Sequence, residues 1–268
     1  MELKILSQNN EEKGKKKLPA QFNEAIRPDL IYRAVITLQA NKRQPYGASP
    51  EAGKRASAIV SKRRRKYKTT YGIGQSRTPR KVMSHRGSRM NWVGAFAPQT
   101  VGGRRAHPPK AEKIWEIKIN KKENRKAIRS ALAATVNKVI VKLRGHSVPD
   151  KYPFIIDNSF ENIAKTKEVR LSLESLGFKE ELVRASKKAV RAGKGKARGR
   201  KYKKRKSILL VVSKDCKLEK AARNIPGINV VKVNSLNVEL LAPGTSPGRA
   251  TLFTEAALEK LEKEKLFM

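Results

Sequence analysis

Acidic residues, sulfur and long apolar runs are all scarce in this chain. Its 268 residues hold 23 Asp/Glu against 62 Lys/Arg, which leaves a formal charge of +39. No folded core absorbs such an excess, because like charges repel and lose hydration on burial. One cysteine, Cys216, excludes an internal disulfide and suits a reducing compartment, most simply the cytosol. The longest apolar run, Ile208 to Val212, is five residues, far short of the roughly 20 of a membrane-spanning helix. Residues 1–20 contain no apolar stretch of the length a secretory signal needs. His85, His107 and His146 are the only histidines, no two within 20 residues, and Cys216 is remote from all three. A metal site needs clustered ligands, so none is expected, nor any cofactor.

What is present is positive charge in two blocks. Residues 41–110 carry 18 Lys/Arg and one acid, Glu51; residues 187–206 carry 12 Lys/Arg and none. A dense polyanion must supply the counter-charge, which points to nucleic acid. A membrane surface is a poor second, since an amphipathic anchor needs large apolar residues beside its lysines and 187–206 offers Ala, Gly and one Tyr. The first block interleaves its cations with Tyr46, Tyr67, Tyr71, Trp92 and Phe96. Phosphates want guanidinium and ammonium groups, and unpaired bases want flat faces. The expected RNA contacts there are Arg43, Lys54, Arg55, the run Lys62-Arg63-Arg64-Arg65-Lys66-Tyr67, Arg80, Lys81, Arg86, Arg89, Trp92, Arg104, Arg105, His107 and Lys110. In the second block they are Lys194, Lys196, Arg198, Arg200, Lys201, Tyr202 and Lys203. Its glycines precede a strand, and no Ser or Thr follows a Gly-Lys pair. A P-loop is thereby excluded. Asp157 ends an apolar run where α/β enzymes keep catalytic groups, but nothing pairs with it by spacing, and capping the next turn is the expected role.

The hydrophobic pattern divides the chain. Pro28 and Asp29 open a helix whose buried face is Leu30, Ile31, Ala34, Val35 and Leu38, with Asn41 as its cap. From 41 to 110 no period persists, apart from a possible short helix over 56–67; 11–17 reads as a polar turn. Order resumes with a strand at 114–119 and a helix opened by an Asn120/Glu123 capping box. Beyond it come a buried strand at 154–157, helices at 161–176 and 180–185, and strands at 208–212, 229–233 and 250–253 alternating with short helices, the last capped by Thr254. Alternation of this kind implies α/β: a three-layer domain with a mainly parallel sheet, formed by 1–40 and 111–268, plus a long irregular basic extension, 41–110.

Several segments resemble one family. They are Ile26-Arg27-Pro28-Asp29-Leu30-Ile31, Gly103-Arg104-Arg105-Ala106-His107-Pro108-Pro109-Lys110, Arg129-Ser130-Ala131-Leu132-Ala133-Ala134-Thr135, the glycine-rich run 192–202 and Leu241-Ala242-Pro243-Gly244. The chain is similar in them to the L-four family of large-subunit ribosomal proteins, in its archaeal form. That resemblance implies a structural, non-catalytic protein of the cytoplasmic ribosome whose partners are large-subunit ribosomal RNA and neighbouring ribosomal proteins. It also implies that the extension reaches the wall of the peptide exit tunnel, where Tyr71, Gly72, Ile73, Gly74, Gln75, Ser76 and Arg77 would meet the nascent peptide. Two other classes remain open at this stage. A non-ribosomal RNA- or DNA-compacting protein would carry its cations on the folded domain, and a nucleic-acid-modifying enzyme would need a glycine-rich turn after its first strand.

Overall fold

Leu209 to Val212 is apolar at every position because its strand is buried on both faces. Leu209 and Val211 enter one core cluster and Leu210 and Val212 another, as the period of two demands. In the computed structural model, which describes residues 1–268, the elements in chain order are β1 (Glu2–Leu6), β2 (Glu12–Lys17), α1 (Pro28–Asn41), β3 (Ala58–Ile59), β4 (Arg80–Arg86), β5 (Arg89–Gly94), α2 (Lys121–Val136), α3 (Lys138–Leu143), β6 (Ile155–Ile156), α4 (Thr166–Ser175), α5 (Lys179–Ser186), β7 (Ala189–Val190), β8 (Tyr202–Lys203), β9 (Leu209–Val212), α6 (Lys217–Ala222), β10 (Asn229–Lys232), α7 (Val238–Leu241), β11 (Thr251–Thr254) and α8 (Glu255–Lys263). They fall into two compact units: Met1–Lys42 with Glu116–Met268, and Arg43–Trp115.

The first unit is an α/β domain. Its six strands run in the order β10-β9-β11-β6-β1-β2, parallel except for the β1–β2 pair at one edge. One face carries Ile31 and Val35 of α1, Ala131 and Leu132 of α2, Leu241 of α7 and Leu258 of α8. The other carries Val141 of α3, Leu173 of α4, Leu182 of α5 and Leu218 of α6. The result is the three-layer arrangement with a mainly parallel sheet.

Edge strand β2 replaces the polar turn expected at 11–17. Its sequence, EKGKKK, has no apolar member to betray a strand and is held by backbone pairing to β1. Lysine on such an edge discourages a second sheet from adding to it. Residues 114–119 form no strand, and Ile114 is exposed. Asn41 does not cap α1. Its amide instead spans the backbone of Ile117, accepting from Ile117 N at 2.9 Å and donating to Ile117 O at 3.2 Å. The capping box is likewise absent: α2 starts after Asn120, but Glu123 pairs with Arg33 at 3.0 Å. The helix expected from residue 161 begins at Thr166, because a 3-10 turn, Asn158–Asn162, comes first.

The second unit is not irregular throughout. β3, β4 and β5 make an antiparallel sheet, with Val82 opposite Trp92 and a two-residue loop, Gly87-Ser88, joining β4 to β5. Gly87 holds φ +57°, which glycine adopts without steric cost. The expected helix at 56–67 is absent. Thr69 Oγ1 donates to Arg63 O at 2.8 Å and Arg65 lies at φ +53°, so the basic run is wound into a turn.

Candidate nucleic-acid interface

The surface that could hold a polyanion is built from cations that are in no ion pair. Ion pairs occur throughout the first unit, yet none takes a Lys or Arg from residues 43–115 or 187–206. Lys62 through Tyr67 are all exposed, as are Lys81, Arg86, Arg89, Arg105, His107 and Lys110. Three expected contacts are partly turned inward instead. Arg80 donates to Ser76 O at 2.6 Å and to Ser76 Oγ at 2.9 Å, with its guanidinium 5.7 Å from the Trp92 ring. It braces the turn at 71–77 against the β4–β5 hairpin. Arg104 lies over Phe96 at 5.9 Å, and Trp92 is half-buried against Val82. Within the turn, Gly72 and Gly74 hold φ of +78° and +65°, Ile73 is exposed, and Arg77 reaches the Tyr71 hydroxyl at 3.3 Å.

The second basic block is a hairpin. β7 pairs with β8 through Ala189–Lys203 and Val190–Tyr202, and Arg191 ties the loop with bonds from Nε to Arg200 O at 2.9 Å and from its backbone N to Lys201 O at 2.8 Å. Lys194, Lys196, Arg198, Arg200, Lys201, Tyr202 and Lys203 all face solvent. The foot of this hairpin is buried and polar, a feature no spacing in the sequence announces. Glu181, on α5, is fully enclosed. Its carboxylate accepts from Arg184 Nη2 at 2.6 Å, Ser207 Oγ at 2.9 Å and Ser147 N at 3.0 Å, and lies 2.8 Å from His146 Nδ1. Arg184 also donates to Lys206 O at 2.8 Å. One carboxylate thus holds the chain on both sides of the basic block.

Burial alone would raise the pKa of Glu181. Arg184, His146 and the Ser147 amide outweigh it and hold the carboxyl down to about 2. Burial first, with Arg184 and Arg144 adding repulsion, keeps His146 below its ordinary value despite Glu181. An ionised carboxylate only accepts, so the neutral His146 ring donates from Nδ1. Both depressed values act in the same direction. Stability is fully present above the unfolded pKa of each group and is lost as pH falls, below about 6.5 for His146 and from 4.5 toward 2 for Glu181. The Glu181 share is about 3 kcal/mol. Denaturant midpoints measured from pH 7 to 3 should therefore fall for the native protein. Glu181→Gln should start lower and close part of the gap to the native curve between pH 4.5 and 3, whereas a constant gap would mean that Glu181 is not ionised in the fold.

Asp157 is engaged as a cap: it accepts from Asn158 N at 2.9 Å and Ser159 Oγ at 2.7 Å and pairs with Lys13 at 2.6 Å. Nearby Glu161 accepts from Ser213 N, Ser213 Oγ and Thr254 Oγ1 at 2.7–2.9 Å. The strand ends where α/β enzymes place their chemistry are here stapled by these carboxylates. Cys216 sits at the N-terminus of α6 with its thiol pKa raised by burial. No group of three or more His, Cys, Asp or Glu is arranged to hold a metal ion, and no helix is long and apolar enough to cross a membrane.

Residues 16–264 match the model of the Ribosomal protein L4/L1 family. The chain is 50% identical over 268 residues to Large ribosomal subunit protein uL4 of Nanoarchaeum equitans, covering 100% of both chains. It is 46% identical to the protein of the same name from Methanococcoides burtonii over 96% of each. With that of Archaeoglobus fulgidus the identity is 44%, over 97% of this chain and 98% of the relative. With a family match across nearly its whole length and archaeal relatives this similar, the chain belongs to the Ribosomal protein L4/L1 family.

Proposed function

We propose that this chain, a structural and non-enzymatic constituent of the large ribosomal subunit, holds that subunit's RNA through two separate basic surfaces. One is the excursion 41–110 and the other the hairpin 187–206. The observation that carries this is that no Lys or Arg of 43–110 or 187–206 is in an ion pair, whereas ion pairs recur through the rest of the fold, Lys42 with Glu239 among them. Folded in isolation these surfaces repel themselves; laid on phosphate they release counterions and gain order. Neighbouring ribosomal proteins are the expected protein partners, and the ribosome in the cytoplasm the site of action.

Within the excursion, the turn at 71–77 is the part assigned to the nascent peptide. It carries one cation, Arg77, which is turned onto Tyr71, and it presents Ile73 outward. A surface that meets a moving peptide should be weakly charged and braced from behind, and Arg80 supplies the brace. A photo-crosslinker at Ile73 in assembled ribosomes is expected to capture a stalled nascent chain. One at Arg64 should capture mainly ribosomal RNA. RNA alone from both positions would remove the peptide contact and leave the scaffold role.

A further inference from the structure

The second unit contains a cavity of about 760 Å³ lined by the rings of Tyr46 and Trp115, the cations Arg105, Lys110 and Lys113, and one carboxylate, Glu112, within the roughly 300–1,000 Å³ of sites that take a small organic group. It lies where residues 43–54 run beside 104–115. Ala48 N donates to Pro109 O at 2.9 Å, and a Cβ placed on Gly47 would stand 2.6 Å from Ala111 N. The lack of a side chain at Gly47 is what lets the two segments touch and brings Tyr46 against Trp115. The rings stack, with centroids 5.5 Å apart and planes 19° from parallel. The Arg43 guanidinium is 3.8 Å from the Trp115 ring and 5.8 Å from that of Tyr46, and Lys113 Nζ is 4.4 Å from Trp115. Tyr46 nevertheless remains half exposed. Arg105 and Lys110 stand on the cavity wall with no anionic partner, and the indole Nε1 of Trp115, also at the wall, is enclosed without an acceptor.

We propose that this cavity takes one unpaired nucleobase of single-stranded RNA. The base lies on the Tyr46–Trp115 platform and its flanking phosphates on Arg105, Lys110 and Lys113. An aromatic floor among cations discriminates for a ligand that is flat in the middle and anionic on either side. A peptide with acidic residues would satisfy the cations and leave the floor uncovered. A duplex would satisfy the cations too, but its bases are stacked on one another and cannot enter. The platform is assembled before the ligand arrives, so the ordering entropy at this point is already spent. The inference rests on the RNA reading above and deepens it, naming a place where a base rather than a phosphate is held. Tyr46 is among the aromatics interleaved with the cations, whereas Trp115 lies beyond the basic block 41–110.

The chain has two tryptophans, and Trp92 is itself among the expected RNA contacts, so the Trp92→Phe protein, in which Trp115 is the sole indole reporter, would be titrated beside the native protein and every effect of a Tyr46 variant read relative to it. Full-length protein of this background would be titrated with single-stranded oligoadenylate, the same strand annealed to oligouridylate, and AMP. Binding would be followed by anisotropy of labelled RNA and stacking by Trp115 emission. Quenching by the single strand, in step with binding and absent with the duplex, is the expected result. Tyr46→Ala should weaken single-strand binding about tenfold and abolish the quench. Tyr46→Phe, which keeps the flat face, should retain both. Single-strand binding with unchanged emission and an unaffected Tyr46→Ala variant would overturn the base site while leaving the RNA reading intact. Failure of any RNA to bind would instead sink the RNA reading itself. Equal quenching by AMP and by oligoadenylate at the same concentration would overturn the assignment to RNA and make this a free-nucleotide site.

Discussion

Replacing Lys194, Lys196, Arg198, Arg200, Lys201 and Lys203 together by glutamine is expected to flatten the salt dependence of RNA binding by roughly four to five units of log–log slope. Each phosphate neutralised contributes about 0.7–0.9 to that slope through the counterions it releases. All six side chains face solvent, and none is in an ion pair, so their charges are free to be spent on phosphate. The substitution should leave the fold alone. What shapes the hairpin is backbone: Arg191, which is retained, bonds the carbonyl of Arg200, and the foot is held by Glu181 and Arg184 through Ser207 Oγ and Lys206 O. Melting temperature is therefore expected to stay within a few degrees while affinity at moderate salt falls by orders of magnitude. An unchanged slope would show that this hairpin does not touch phosphate, and would move RNA binding wholly to 41–110.

The two basic surfaces were legible in the sequence because charge needs no periodicity to be counted. The parallel strands were legible for a related reason: runs such as Leu209 to Val212 are apolar at every position only when both faces are covered. Strands that bury nothing left no such mark. β2 is almost all lysine and glutamate, and β4–β5 exposes most of its length. Each forms through backbone pairing, for which composition carries little signal. For β4–β5 one cue was present, the Gly87-Ser88 pair between two segments with β-branched and aromatic residues. Where local signals misled, a tertiary partner had displaced the local one. Asn41 and Glu123 are reasonable caps, yet the first spans the Ile117 backbone and the second meets Arg33. The polar foot at Glu181 was invisible for the same reason, since its partners come from residues 146, 147, 184 and 207.

Arg249→Met should be among the most damaging single substitutions in the domain, costing on the order of 3–5 kcal/mol. In the sequence Arg249 is one cation among many, but in the fold it is only 1% exposed and has no acid within bonding distance. Burial, with repulsion from Arg144, lowers its pKa to about 10, so it is still charged at neutral pH. What offsets that buried charge is a ring of oxygens: Ser207 O at 2.7 Å, Asn229 Oδ1 at 2.8 Å, Leu240 O at 2.9 Å, Gly227 O at 3.2 Å and Ile208 O at 3.4 Å. Replacing a buried ion by an apolar group of similar size is sometimes harmless, because the desolvation cost goes with it. Here it would not be, since four main-chain carbonyls and an amide oxygen would lose their shared donor. The expected fall in melting temperature is roughly 10 °C, and Arg249→Lys should recover only part of it, because one ammonium cannot reach five acceptors in different directions. Ser207 links this site to function: its carbonyl accepts from Arg249 and its hydroxyl donates to Glu181. Loosening Arg249 should therefore also free the foot of the basic hairpin, and amide exchange in 203–208 is expected to quicken before the β9–β11 core does. A melting temperature equal to or above that of the native protein would mean that the carbonyls find other donors and that the ring carries no energetic weight.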